Sequence, residues 1–142
     1  MQPYQKRRLF PTNEKAFMLK FLEKIKIHTS RNIWYFKSHG EPMQVRGIPD
    51  VIMCYYGLFF SIEFKIKRHG KIAVTPYQEY SLECITKANG IALVIWHDED
   101  TGEVGIGTKK FTTIDDAISW LVEVLESALK VPCGNRKAEQ NG

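Results

Sequence analysis

The chain has little of what secreted or membrane-spanning proteins need. Its three cysteines, Cys54, Cys84 and Cys133, lie far apart and form no Cys-x-x-Cys pair, so we expect free thiols in a reducing compartment. No apolar stretch approaches the roughly 18 residues of a membrane span. The N-terminal segment also lacks the apolar core of a signal peptide. These absences predict a cytoplasmic protein without membrane contact.

What is present is typical of one globular domain. The chain has 142 residues, of which 44% are hydrophobic and 25% are charged, as in ordinary folded proteins. A chain of this length has room for one sizeable core. We expect a basic N-terminal arm over residues 1–11, a folded domain over residues 12–130 and a disordered tail over residues 131–142.

The charge of the chain is distributed unevenly. Residues 1–75 contain 14 Lys and Arg against 5 Asp and Glu, whereas residues 76–130 contain 4 against 10. Such asymmetry indicates a basic face for an anionic partner. Unremarkable solvated charge is the alternative explanation.

The periodicity of apolar residues predicts a helix, three strands, a second helix, two strands and a last helix. Thr12 or Asn13 can cap the first helix. The second has a capping box, because Thr75 precedes Pro76 and is followed three residues later by Gln78. The strands are expected at residues 32–39, 51–56, 58–66, 91–96 and 103–108. This order predicts an α/β fold with a mixed β-sheet flanked by helices.

One predicted strand carries a charged pair. In residues 58–66, Glu63 and Lys65 share a face, because side chains alternate along a strand. The strand is apolar enough to be central, and burying charges costs several kcal/mol per ion unless they are paired or bound to a metal. A solvated face of an antiparallel sheet is the alternative.

The preceding strand adds a second carboxylate. A two-residue turn at Tyr56-Gly57 places Asp50 opposite Glu63, where Cβ atoms are about 4.5–5.5 Å apart and like charges repel. A hard divalent cation with oxygen ligands would compensate them. Alternatively, the turn lies elsewhere, or Asp50 merely ends a Gly-x-Pro-Asp turn.

A third acid lies on the first helix. Glu14 falls on the apolar stripe of Phe17 and Phe21, so we expect its side chain to point towards the domain interior. The alternative is local, since an acid in the first turn interacts favourably with the helix dipole.

Three motifs occur in a specific order: Gly47-Ile-Pro49-Asp50, then Glu63-Phe64-Lys65, then Thr75-Pro76-x-Gln78. This order resembles the PD-(D/E)xK nuclease superfamily and, more narrowly, the VRR-NUC family. The match extends roughly over residues 14–96, and the remainder of the chain adds little to it. The resemblance implies a restriction-endonuclease-like core and a metal-dependent DNA endonuclease.

The resemblance also implies roles for individual residues. Asp50, Glu63 and the backbone carbonyl of Phe64 would hold a catalytic Mg²⁺, with Mn²⁺ as a possible substitute. Glu14 would contact the metal directly or through water. Lys65 would orient the attacking water or stabilise charge on the phosphorane.

Other positions are assigned with less support. Gln78 corresponds to a family glutamine near the site, although the capping box needs it for local reasons. We expect phosphate contacts from basic residues in the arm, on the first strand and beside the site: Lys6, Arg7, Arg8, Lys37, Lys67, Arg68 and Lys71.

The expected substrate is branched DNA. Stand-alone members of the family resemble Holliday-junction resolvases that act as homodimers, and a two-fold dimer supplies two equivalent sites. The aromatic segments 33–36 and 55–60 would provide its contact, or lie in the core, or stack on bases. A nuclease that cuts flaps or duplex DNA and a non-catalytic DNA-binding module are the alternatives.

Overall fold

The computed structural model describes residues 13–38 and 46–130 of the chain. The predicted arm and tail, with Lys6, Arg7 and Arg8, lie outside these residues. Within the described part, three helices and six strands follow one another in this order: α1 (Glu14–His28), β1 (Ile33–Lys37), β2 (Val51–Tyr55), β3 (Leu58–Lys67), α2 (Pro76–Lys87), β4 (Ile91–Asp98), β5 (Val104–Ile106), β6 (Lys109–Phe111) and α3 (Ile114–Leu129).

The helices begin where the sequence places capping residues. The side chain of Asn13, rather than that of Thr12, caps α1 by accepting a hydrogen bond from Ala16 N at 2.8 Å. Thr113 caps α3 in the same way. The predicted capping box at the start of α2 is present. Each cap satisfies an N–H group that has no partner within the first helical turn.

The six strands form one mixed sheet in the order β1-β2-β3-β4-β5-β6. All neighbouring pairs are antiparallel except β3 and β4, which are parallel. Helix α2 connects these two strands, because a parallel pair needs a crossover rather than a hairpin. The sequence analysis missed β6, whose three residues are too few to show an alternating pattern. The mixed α/β class is confirmed.

The core lies on one face of the sheet. Helices α1 and α3 pack against each other there, α1 against β3 and α3 against β5 and β6. The rings of Phe17 and Phe21 meet that of Phe64 edge to face, with centroids 5.6 and 5.3 Å apart. Because side chains alternate along β3, Glu63 and Lys65 point to the other face.

That other face is only partly covered. Helix α2 packs against β4 there, and none of the residues described for α2 is fully buried. None of the helices within residues 13–38 and 46–130 is long and apolar enough to cross a bilayer. In the described part of the chain, the face opposite the core carries large side chains that are exposed to solvent, among them Trp34 and Phe36.

Candidate functional site

Asp50 and Glu63 are neighbours across β2 and β3. The two strands pair with Tyr55 opposite Leu58 and Val51 opposite Ile62, which confirms the predicted register. Asp50 directly precedes Val51, and its Oδ2 accepts a hydrogen bond from the Phe64 N–H at 2.8 Å. The Phe64 N–H thus donates to the Asp50 carboxylate rather than to a backbone carbonyl of the neighbouring segment.

The tight turn between β2 and β3 produces this register. Tyr56 and Gly57 both have positive φ angles, 49° and 78°, as in the two-residue turns that match the twist of a hairpin. A one-residue bulge would have shifted the pairing, so that Asp50 and Glu63 stayed neighbours but no longer lay directly opposite each other.

Glu63 and Lys65 are a buried pair, as the apolar character of β3 predicts. Only 3% of Glu63 and 8% of Lys65 is exposed. Lys65 Nζ lies 3.7 Å from Glu63 Oε1, a separation that gives attraction without a short hydrogen bond. The solvated-face alternative is therefore wrong.

Gln78 joins the capping box to the site. Its Oε1 accepts a hydrogen bond from the Thr75 N–H at 2.9 Å, and its Nε2 donates to Glu63 Oε1 at 2.7 Å. Because the cap occupies the amide oxygen, the amide nitrogen is left to face the carboxylate. The helix cap thus orients Glu63, so the local role and the site role of Gln78 coexist.

The Gly-x-Pro-Asp turn packs against the first turn of α2. Gly47 has a φ of +82°, and a Cβ at this position would overlap the backbone carbonyl of Tyr77. The Arg46 guanidinium lies over the Tyr77 ring, 5.6 Å from its centroid. Two motifs that are about 30 residues apart in the sequence are therefore in direct contact, which positions Asp50 and Gln78 around Glu63.

Burial sets the electrostatics of the two carboxyl groups. Burial, together with the nearby Asp50 charge, raises the pKa of Glu63 to about 8, although the Lys65 ammonium acts in the opposite direction. Burial also raises the pKa of Asp50, against a hydrogen bond from the Phe64 N–H and one from Glu63. The two carboxyl groups therefore titrate together, and the raised pKa of Glu63 favours one shared proton on the pair near neutral pH.

The donor set suits a hard divalent cation. The predicted ligands Asp50, Glu63 and the Phe64 carbonyl would supply only oxygen atoms, as Mg²⁺ prefers. A cation between the carboxylates would replace the shared proton. In residues 13–38 and 46–130, no group of three or more His, Cys, Asp or Glu side chains could hold a metal. The protein would thus provide few ligands, and Mg²⁺ commonly retains several waters.

Glu14 is exposed in the first turn of α1, so the expectation that it points into the interior is wrong. Phe17, three residues later, packs on the core face against Phe64 and lies 5.4 Å from the His97 ring. The apolar stripe predicts only the direction in which the Glu14 side chain points. Burial also requires another element packed against the first turn of α1. The position suits the helix dipole, and a metal role for Glu14 stays a prediction.

Trp96 is a residue of the site that the sequence analysis missed. It lies opposite Lys65 in β4, and its Nε1 donates to the Gly107 carbonyl at 2.9 Å. Gly105 leaves room for the ring, since a Cβ there would overlap it. The Lys67 ammonium lies 4.3 Å from the ring centroid. The only signal in the sequence is the Gly-x-Gly spacing that follows the tryptophan.

The remaining basic candidates occupy different places. Arg68 pairs with Glu99 at 3.3 Å, and its backbone forms a bridge with that of Lys71 beyond the end of β3. Lys37 lies opposite Val51 at the end of β1, hence on the core face. The structure brings Lys67 to the face of Glu63 but does not bring Lys37 there.

Replacing Glu63 by Gln should change how stability depends on pH. In the metal-free protein the raised pKa means that the folded state binds a proton more tightly than the unfolded state. This contribution is complete below about pH 4.5, the ordinary pKa of the group, and is lost as the pH rises through about 8. Glu63→Gln should flatten that decline and be more stable than the wild type at pH 8.5, by on the order of a few kcal/mol.

Urea unfolding at pH 5, 7 and 8.5 measures this effect. Glu123→Gln, at an exposed position on α3, is the matched control and should follow the wild-type profile. Parallel profiles for Glu63→Gln and the wild type would show that Glu63 does not carry the shared proton.

Replacing Gly47 by Ala should loosen the contact between the turn and α2. The new Cβ would meet the Tyr77 carbonyl and would also be strained by the positive φ. Gly57→Ala is the matched control, because Gly57 has a similar φ of +78° but no atom within 4 Å of its added Cβ. The left-handed conformation alone costs about 1–2 kcal/mol, so denaturant unfolding should show a larger loss for Gly47→Ala. Equal losses would mean that the contact does not constrain the site.

No protein-family model matches the chain, and no curated protein matches it either. The resemblance to the VRR-NUC family therefore depends on the motif residues alone. What these residues share in the fold is geometric: Gly47 contacts the start of α2, Asp50 lies beside Glu63, and Gln78 bonds Glu63. Activity and substrate are accordingly matters for proposal.

Proposed function

We propose that the protein is a Mg²⁺-dependent DNA endonuclease of the VRR-NUC type, with a restriction-endonuclease-like core. The observation that carries the proposal is the carboxyl pair formed by half-buried Asp50 and fully buried Glu63, with buried Lys65 beside Glu63 on the same sheet face. A purely structural site would not need two adjacent carboxyl groups, because like charges placed opposite each other across a sheet are destabilising. Mn²⁺ has similar ligand preferences and is a possible substitute.

The residues of the site divide the chemistry among them. Asp50, Glu63 and the Phe64 carbonyl would hold the cation, which when bound activates a water and neutralises charge on the scissile phosphate. Gln78 holds Glu63 in place by its 2.7 Å hydrogen bond. Lys65 presents a fixed positive charge on the same face, directed at the charge that develops on the phosphate.

Attraction to DNA would come from the basic half of the chain. Residues 1–75 carry an excess of nine positive charges, and contacts of Lys and Arg with phosphates dominate nonspecific affinity for nucleic acids. Lys67, Arg68 and Lys71 follow Lys65 where β3 ends and the loop to α2 begins. Lys67 has the best-defined position of the three, since its ammonium lies over the Trp96 ring.

Substrate form and assembly follow from the family resemblance. We propose a cytoplasmic homodimer that cuts branched DNA in the manner of a Holliday-junction resolvase. Two symmetric incisions need two equivalent sites, which a two-fold dimer provides. A single-cut nuclease acting on flaps or duplex DNA, or a DNA-binding module without activity, is the alternative.

Metal binding can be tested apart from catalysis. At pH 8, millimolar Mg²⁺ should raise the melting temperature of the wild type, because a ligand that binds only the folded state stabilises it. Asp50→Asn and Glu63→Gln should lose this increase, and Glu123→Gln should keep it. The same proteins should then be compared on four-way junction, flap, fork and duplex DNA of matched sequence, with Mg²⁺, Mn²⁺ or no metal.

The wild type should cleave only with metal, and the two site variants should be at least 100-fold slower. A wild type that binds DNA but cleaves none of the substrates would favour the binding module. Well-folded Asp50→Asn and Glu63→Gln variants with near-normal cleavage would remove the metal assignment.

Lys65→Ala should lower the rate of cleavage far more than DNA affinity. A charge that acts on the transition state affects the rate constant at saturating enzyme, and we expect a loss of roughly 100-fold or more, against less than about 3-fold in Kd. Single-turnover kinetics measures the rate constant of cleavage, and fluorescence anisotropy measures the Kd for DNA. Lys109→Ala is the control, because its ammonium lies over the Trp120 ring on the core face. Equal losses in rate and affinity would make Lys65 an ordinary phosphate contact.

A further inference from the structure

Within residues 13–38 and 46–130, a group of largely exposed apolar side chains lies on the sheet face that bears the site. Trp34 lies opposite Cys54, which lies opposite Phe59, and Phe36 lies opposite Ile52. We call these five residues the aromatic patch. Trp34 is 63% exposed, Phe36 50% and Phe59 41%. Large aromatic side chains that stay in water on one sheet face are typical of an interaction surface.

A groove adjoins the patch. It has a volume of about 500 Å³ and runs between the start of β3 and the C-terminal end of α2, lined by Gly57, Phe59, Cys84, Ile85, Ala88, Asn89 and Gly90. Phe59 belongs to both the patch and the groove. Gly90 leaves the bottom of the groove unobstructed, because a Cβ at this position would crowd the side chains of Phe59 and Ile85. The sheet face that bears the site therefore carries both the exposed Trp34 side chain and the groove.

We propose that the aromatic patch is the contact between two copies of this chain, with Trp34 of each copy seated in the groove of the other. The inference rests on the homodimer in the proposed function and gives that dimer a surface. A two-fold interface requires that the projecting part and its receptor lie on one surface of the same molecule. Here they are linked through Phe59, about two strand spacings from Trp34, or roughly 10 Å.

The chemistry of the patch favours protein over nucleic acid. None of its five side chains is charged, and the core of a protein interface is rich in aromatic residues and poor in charge. Surfaces that stack single-stranded bases instead interleave aromatics with basic side chains along the phosphate path. The cationic residues near the site lie towards the other end of β3, at Lys65 and Lys67.

The three exposed rings supply part of the area that an interface needs. An aromatic side chain can bury about 150–250 Å², so the exposed fractions of Trp34, Phe36 and Phe59 amount to roughly 300 Å² per copy. A standard interface buries about 800 Å² per partner, and the groove walls and the open edge of β1 adjoin these rings. Ser61 separates Phe59 from Glu63 on this face of β3.

Two variants and a matched control test the surface from both sides. Trp34→Glu places a charge on the projecting side, and Ala88→Arg fills the groove from its exposed rim. Ile27→Glu introduces the same charge at a residue that is 65% exposed on α1, the helix that packs on the opposite sheet face. Light scattering across micromolar concentrations should give twice 16.4 kDa for the wild type and Ile27→Glu. It should give the single-chain mass for Trp34→Glu and Ala88→Arg.

Circular dichroism tests whether the two monomeric variants keep the fold, and the Mg²⁺-induced increase in melting temperature tests whether they keep the metal site. The wild-type spectrum and the increase should both be retained in Trp34→Glu and Ala88→Arg. Dimers that survive both substitutions would overturn the proposed surface while leaving the nuclease proposal intact. A wild type that stays monomeric up to about 100 µM would overturn both the surface and the homodimer. In that case, quenching of Trp34 fluorescence by single-stranded DNA, measured against Trp34→Phe, would identify the patch as a base-stacking platform.

Discussion

The pairing of Asp50 with Glu63 is the constraint on which the site depends. Two carboxyl groups side by side in a mostly buried position disfavour each other's ionisation, and the Lys65 ammonium offsets this only in part. Burial and mutual repulsion raise the pKa of Glu63 to about 8. The surrounding contacts hold this unfavourable pair together: the Phe64 N–H binds Asp50, the Gln78 amide binds Glu63, and Lys65 lies 3.7 Å from Glu63.

That pair is held by contacts between segments that are distant in the sequence. The glycine of the Gly-x-Pro-Asp turn allows the backbone to approach Tyr77, and the capping box of α2 directs the Gln78 amide at Glu63. Local stability and site geometry therefore share the same residues. A substitution that weakens the start of α2 should disturb the carboxyl pair even where it touches neither acid.

The division of the sheet into two faces organises the rest of the molecule. Helices α1 and α3 cover one face and form the core, so the chain can place charged and exposed aromatic side chains on the other. On that second face α2 covers β4, while the rings on β1 remain in water. The carboxyl pair and the aromatic patch are neighbours on this face, since Ile52 of the patch lies two residues from Asp50 along the chain.

The sequence by itself determined the features that depend on local chemistry or on alternation along one element. These include the helix caps, the two-residue turn at Tyr56-Gly57, the register that brings Asp50 to Glu63, and the buried character of Glu63 and Lys65. Only the tertiary structure decided what depends on a facing element. Glu14 lies in solvent although Phe17 on the same helical stripe is buried, and Lys37 falls on the core face because of its pairing with Val51. The contact of the Lys67 ammonium with the Trp96 ring and the packing of Gly47 against Tyr77 likewise join residues whose separation along the chain gives no local signal.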